Sequence, residues 1–183
     1  MPEVFFTSDT HFGHANIIKY CNRPFASAAE MDEALIDNWN DRVRPEDTVY
    51  HLGDFSLAPP GPYLHRLNGH VMFVFGNHDK QMRHLKDRWR EWEHKITFLP
   101  PLAETDVNGQ QIILCHYAMR VWNKSHRGSW HLYGHSHSTL PDEPASMSFD
   151  VGVDAHAYHP LRFNEVAALM AKKSWKPIDH HGS

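Results

Sequence analysis

Five short apolar runs in this chain each end on a cluster of histidine, aspartate or asparagine, and that pattern narrows the folds open to it. Val4-Phe5-Phe6 leads into Asp9-Thr10-His11. Val49-Tyr50-His51-Leu52 leads into Gly53-Asp54. Val71 to Phe75 leads into Gly76-Asn77-His78-Asp79. Ile112 to Cys115 leads into His116, and Leu132-Tyr133 leads into Gly134-His135-Ser136-His137. Short apolar runs bounded by Gly, Asn and Asp read as buried strands. In open α/β sheets, side chains converge beyond the carboxyl ends of strands, because the chain turns there. Several strands delivering polar residues to one place is therefore the expectation.

Helix signals lie between the runs. Ser27-Ala-Ala-Glu30 is a capping box, followed by Met31, Leu35, Ile36 and Trp39 at helical spacing. Pro59 to Pro62 reads as a loop leading to a short helix through Leu64 and Leu67. Met82, Leu85, Trp89 and Trp92 predict an amphipathic helix over residues 80–95. Asn108-Gly109 is a hairpin turn. Ser146 to Val153 reads as a strand, and Asn164 as the cap of a last helix from Glu165 to Lys173. No repeat or linker interrupts the pattern, so one mixed α/β domain over residues 1–183 is expected.

Charge and composition remove several function classes. Formal net charge is −4 with histidine neutral, which gives no global basic field for nucleic acid. No apolar run approaches the about 20 residues that span a bilayer. The start of the chain has no basic leader and reads as a first strand. Cys21 and Cys115 form no C-x-x-C, so neither a disulfide framework nor a zinc–thiolate site is indicated, and a cytoplasmic location is expected. Of the 17 histidines, His180 and His181 read as solvated tail, and most of the rest stand near Asp, Asn and Gly. The sequence sets no oligomeric state.

Asp9, His11, Asp54, Asn77, His116, His135 and His137 offer imidazole nitrogens and carboxylate or amide oxygens, and no sulfur. That donor set suits Mn, Fe, Co, Ni or Zn better than Ca or Mg. Seven candidates are too many for one ion and fit two divalent ions that share a carboxylate, with Mn favoured. Such pairs lie about 3.5–4 Å apart, and a hydroxide between them attacks phosphorus in line. Each cluster alone also has a structural reading: Gly-Asp and Asn-x-Asp make turns, and a single histidine is often a hydrogen-bonded core residue. The joint order of five clusters is what favours chemistry.

Asp9-x-His11, Gly53-Asp54, Gly76-Asn77-His78-Asp79, His116 and Gly134-His135-x-His137 resemble the five motifs of the calcineurin-like metallophosphoesterase superfamily, within it the small single-domain bacterial and phage phosphoesterases. The resemblance implies a four-layer α/β/β/α sandwich with two mixed sheets. It implies Asp9, His11 and His137 on one metal, Asn77, His116 and His135 on the other, and Asp54 bridging. It implies that His78 stays off the metals and faces the scissile phosphate as a transition-state donor or general acid. Leu57 stands where the protein phosphatase branch carries the aspartate that orients this histidine. Another group is then needed for His78, a backbone carbonyl or Asp79.

On the substrate side, Asn77, His14 and Arg23 are candidate contacts, with Arg23 able to grip a phosphate in a bidentate manner or to serve the structure instead. Arg120, Trp122, Lys124, His126, Arg127 and Trp130 interleave cations and aromatics between His116 and His135. A phosphate-ester substrate is expected, and this loop suits a nucleotide or single-stranded nucleic acid. Its tryptophans read equally as core cover. Asp150 and Asp154 are candidate acceptors behind ligand histidines. A phosphodiesterase is favoured over a phosphomonoesterase with the same site. A non-catalytic scaffold would have lost ligands, and none of the seven is missing.

Overall fold

The computed structural model describes residues 1–176, so His180 and His181 lie outside the described residues. Its elements run β1 (Val4–Thr7), α1 (Ala15–Tyr20), α2 (Ala28–Arg42), β2 (Thr48–His51), α3 (Gly61–Arg66), β3 (His70–Phe73), α4 (Lys80–Lys86), β4 (Ile96–Phe98), β5 (Leu102–Val107), β6 (Gln110–Cys115), β7 (Trp130–Tyr133), β8 (Ser148–Asp150), β9 (Leu161–Arg162) and α5 (Phe163–Met170). Two mixed sheets form the centre of an α/β sandwich, with strand orders β4-β3-β2-β1-β9 and β5-β6-β7-β8. In the first, β1 to β4 are parallel and β9 runs against β1. In the second, β5 and β6 form an antiparallel hairpin, and β6, β7 and β8 are parallel.

Strand alternation builds two cores. Phe5, Val49, Val71 and Phe73 face the helices, where Met31, Leu35, Ile36 and Trp39 of α2 meet them. Phe6, Leu52 and Val74 face the other way, onto Ile112, Leu114, Leu132 and Phe149 of the second sheet. Side chains two apart on a strand share a face, so each parallel strand supplies both layers. From α5, Val166 and Met170 join the cluster between the sheets. The outer face of the second sheet carries Ile113, His131 and Tyr133, all buried. Trp122, from the segment after β6, lies over His131 with ring centroids 5.3 Å apart.

Local chemistry accounts for most boundaries. Ser27 Oγ accepts the Glu30 N–H at 3.2 Å and so caps α2. Asn108 and Gly109 both take positive φ, 54° and 82°, as a two-residue hairpin turn requires. The helix expected over residues 80–95 ends at Lys86 and is followed by a 3-10 turn, Trp89–Glu91. Met82 and Leu85 are buried but Trp89 is 49% exposed, because the tightened turn carries it off the apolar stripe. The last helix starts at Phe163, not after Asn164; the Glu165 carboxylate accepts the Arg162 N–H at 2.8 Å. Among the described residues no helix is long and apolar enough to cross a membrane.

Candidate metal centre

The parallel strands of both sheets end at one place. Asp9 follows β1, Asp54 follows β2, and Asn77 follows β3. His116 follows β6, and His135 and His137 follow β7. Backbone bonds stitch the turns together: Asp9 N to Gly53 O at 3.0 Å, His11 N to Asp54 O at 3.0 Å, and Gly134 N to His116 O at 3.0 Å. Asp79 clamps the second and third turns. Its carboxylate accepts the N–H groups of Asp54 (2.7 Å), Phe55 (2.8 Å) and Gly76 (2.6 Å). A Cβ on Gly76 would collide with Asp54, and one on Gly134 with Ser8 and Asp9, so glycine is obligatory where the chain passes these carboxylates.

Two groups of ligand-type atoms result. Asp9, His11 and His137 form one, and Asp54, His116 and His135 the other. Asp54 Oδ2 stands between them, 3.6 Å from His11 Nε2 and 3.5 Å from His116 Nε2. Its other oxygen accepts the His78 N–H at 2.8 Å. Asn77 Oδ1 lies 3.1 Å from His116 Nε2. Two donor atoms each about 2.1 Å from one ion sit about 3–3.5 Å apart in octahedral or tetrahedral geometry. The observed spacings, 3.1, 3.5 and 3.6 Å, lie within that range or just above it.

The hydrogen bonds aim the donor atoms. His116 Nδ1 pairs with Leu52 O at 2.7 Å, which turns Nε2 inward. His137 Nδ1 pairs with Asp154 Oδ2 at 2.7 Å, and His11 Nδ1 with His14 Nδ1 at 3.3 Å. Metal-binding histidines are usually anchored through the second nitrogen in this way. Asp9 Oδ2 accepts from Ser8 Oγ (2.6 Å) and His135 N (2.8 Å). Asp9 Oδ1 and His11 Nε2 are buried with no hydrogen-bond partner. Buried polar atoms left unpaired are costly, and a divalent cation held there would satisfy both.

Electrostatics agree. Burial pushes the Asp9 carboxyl up to about 8, against the pull of His137 and the Ser8 hydrogen bond. Burial lowers His11, aided by His137 and Arg23, so it stands neutral, the form that ligates. For His137, burial disfavours the charge, but the Asp154 hydrogen bond and Asp9 outweigh it and raise the ring. A third grouping, Cys21, His137 and Asp154, shares His137 with the first. Burial pushes the Cys21 thiol up to about 11, and Arg23 already occupies both Asp154 oxygens.

One substrate expectation is corrected. Arg23 does not face a phosphate: its side chain is fully buried, and it forks onto Asp154 with two 2.8 Å bonds. Its remaining donors hold Thr10 O at 3.0 Å and Asp9 O at 2.7 Å. His14 is half-buried, with its Nδ1 3.3 Å from that of His11. The tryptophans of the 116–135 segment offer no stacking surface. Trp122 is buried and donates to Ser129 O at 3.1 Å, and Trp130 stacks on Phe163 at 5.7 Å. Arg120, Lys124 and Arg127 are exposed. His78 is exposed, with its ring 5.7 Å from that of His11. Asp79 does not orient it, since backbone N–H groups take both carboxylate oxygens.

The sequence pattern of the calcineurin-like phosphoesterase superfamily domain matches residues 3–149. The chain belongs to that superfamily. An uncharacterised protein of Methanocaldococcus jannaschii is 36% identical, with 94% of this chain and 93% of that protein aligned. The gene 66 protein of Mycobacterium phage D29 is 26% identical over 88% and 92% of the two chains. Among solved structures, a protein of unknown function from Aquifex aeolicus shares the fold with a TM-score of 0.67 at 22% identity, covering 92% of this chain and all of that one. A structure described as a novel archaeal phosphodiesterase has a TM-score of 0.50 at 18% identity, over 82% and 83%. As a calcineurin-like phosphoesterase, the chain is a metal-dependent hydrolase of phosphate esters.

Proposed function

We propose that this phosphoesterase is a phosphodiesterase working with two divalent ions, Mn favoured. The observation that carries the reading is Asp54 Oδ2, which stands within 3.6 Å of a histidine nitrogen from each ligand group. Asp9, His11 and His137 would hold one ion, Asn77, His116 and His135 the other, and Asp54 both. When bound, such a pair polarises phosphoryl oxygens and makes water acidic enough to attack at neutral pH. The chain's own residues do the rest. His14, Asp154 and Leu52 O aim the imidazoles. Arg23 ties the first motif to Asp154. The His78 ring has no hydrogen bond of its own among the described residues, which suits a donor that engages the phosphate or the leaving oxygen.

The diester preference follows from charge and shape. A monoester carries a second negative charge and calls for extra cations, and burial on Asp154 withdraws Arg23, the arginine nearest the first motif. The connections among the described residues carry no separate cap domain, so the rim admits a second ester group. A nucleotide-like diester remains the substrate class to try first, its contacts resting on exposed cations such as Arg120 and not on tryptophan stacking. The test is kcat/KM with Mn for bis-p-nitrophenyl phosphate against p-nitrophenyl phosphate, then for 2′,3′-cyclic nucleotides against nucleoside monophosphates. Diesters are expected to lead. A monoester preference of about tenfold or more in both pairs, an order of magnitude being about 1.4 kcal/mol of transition-state binding, makes the protein a phosphomonoesterase.

A further inference from the structure

Tyr117 directly follows His116 and is 47% exposed, on the open side of the centre where Asn77 and His135 are also exposed and His116 is buried. Its ring meets His116 edge-on at 4.9 Å and His135 edge-on at 4.8 Å. Its hydroxyl comes within 3.5 Å of Asn77 Oδ1. That distance is at the long limit of a hydrogen bond, and the amide oxygen already has His116 Nε2 at 3.1 Å. The phenol O–H is therefore a donor without a firm acceptor, held at the solvent side of the Asn77, His116 and His135 group. The half-buried hydroxyls of Tyr63 and Tyr50 have closer partners: Tyr63 donates to Asp32 at 2.9 Å, and Tyr50 pairs with Thr105 at 2.8 Å.

His78 stands on the opposite side. Its ring neighbours His11, in the group with Asp9 and His137. Tyr117 and His78 are thus both exposed, one beside each group of ligand-type atoms. We propose that Tyr117 is a substrate-binding residue, donating its hydroxyl to a non-bridging phosphoryl oxygen on the Asn77, His116 and His135 side while His78 serves the other. The proposal deepens the phosphodiesterase reading and rests on it. A hydrogen bond to a charged oxygen is strong in a partly desolvated site, and its geometry fixes the phosphate's orientation before attack.

The experiment compares Mn-loaded wild type, Tyr117→Phe and Tyr117→Ala. Three quantities are read: Mn per chain, the Kd of inorganic phosphate by calorimetry, and kcat/KM for aryl methyl phosphates of graded leaving group. Phenylalanine keeps the ring contacts with both histidines and removes only the hydroxyl. Tyr117→Phe is expected to keep the wild-type Mn content, to weaken phosphate, and to lower kcat/KM by roughly 10–100-fold, equally for good and poor leaving groups. Tyr117→Ala should repeat that loss. Unchanged phosphate affinity and kcat/KM in Tyr117→Phe overturn the proposal. So does a loss that tracks Mn content, which makes the residue a prop for His135, or a loss that grows with leaving-group pKa, which makes it an acid. Wild type that binds Mn and phosphate but cleaves no diester sinks the phosphodiesterase reading alone, and the phosphate arm still decides Tyr117.

Discussion

Replacing Arg23 by methionine separates a structural arginine from a substrate-binding one. The guanidinium makes two 2.8 Å bonds to Asp154 and one each to Thr10 O and Asp9 O, with its side chain fully buried. Methionine keeps the volume and removes every donor. Breaking a buried ion pair from one side costs about 3–5 kcal/mol, because the remaining charge stays buried and uncompensated. For a chain of this size, 1 kcal/mol shifts Tm by about 2–4 °C, so a drop of roughly 6–20 °C is expected. Burial works against the Asp154 carboxylate, but His137 and Arg23 overcome it and hold its pKa below the usual range. A depressed carboxylate pKa adds stability above the unfolded value and loses it as pH falls through the folded one. The gap between wild type and Arg23→Met should therefore be widest near neutral pH and close as pH falls below the ordinary carboxylate range. Arg23→Lys restores charge but not the fork, and should recover only part. Thermal unfolding of EDTA-treated protein followed by circular dichroism at pH 7 and pH 4 measures it. Equal midpoints at pH 7, together with a raised KM in the Mn-loaded variant, would return Arg23 to the substrate and refute the reasoning.

Asp54→Asn should weaken both ions and remove most turnover, whereas Asp9→Asn or His137→Ala should mainly loosen one; elemental analysis after dialysis against Mn decides, and two retained ions with near-normal rate in Asp54→Asn contradict the bridging role. His78→Ala should keep both ions and lower kcat by roughly 10²–10⁴-fold, partly hidden with p-nitrophenolate as leaving group if the ring is chiefly an acid; loss of metal would make it a ligand. Burial lowers His51 to about 3 and His131 to about 4. Their neutral rings add stability that is full above the unfolded value and is lost as pH falls toward those figures, so their imidazole NMR signals should stay flat from pH 8 to pH 5, and midpoints near 6.5 would contradict the buried placement.

The gathering of the candidate ligands was legible because each strand carries its own signal: an apolar run ending on Asp, Asn or His, with Gly just before it in three of the five. Those clusters are local, and the sheet only has to bring their ends together. What could not be read depends on partners far along the chain. Arg23 and Asp154 are 131 residues apart, and nothing around Asn22-Arg23-Pro24 marks it as buried. Trp122 and Trp130 interleave with cations in sequence, yet both turn inward: Trp122 covers the outer face of β7 over His131, and Trp130 packs with Leu132 in the core between the sheets. The strands β4 and β5 escaped notice for a related reason. Leu102–Val107 carries Glu104, Thr105 and Asp106 on a half-exposed edge, so only Ala103 and Val107 are buried. Tyr117 gives no signal at all beyond adjacency to His116; its exposure is a property of the assembled turn.

The backbone explains why so few residues suffice for the centre. Asp9, His11, Asp54, His135 and His137 all lie in the left-handed region, with φ between 45° and 69°. Non-glycine residues visit it rarely and at some cost. On an extended strand, successive side chains alternate faces. A left-handed residue just after the strand breaks that alternation and turns the chain across the sheet end, so the side chains that follow leave the core faces and gather over the strand ends. The strain persists because the turns are tied to one another: Asp9 N to Gly53 O, His11 N to Asp54 O, and the Asp79 carboxylate across Asp54 and Gly76. Those bonds close with polypeptide alone, so the ligands are held in position by the fold and not by the ions they would bind. A site built this way is expected to change little on metal loading, with donor atoms already near the spacing that coordination requires.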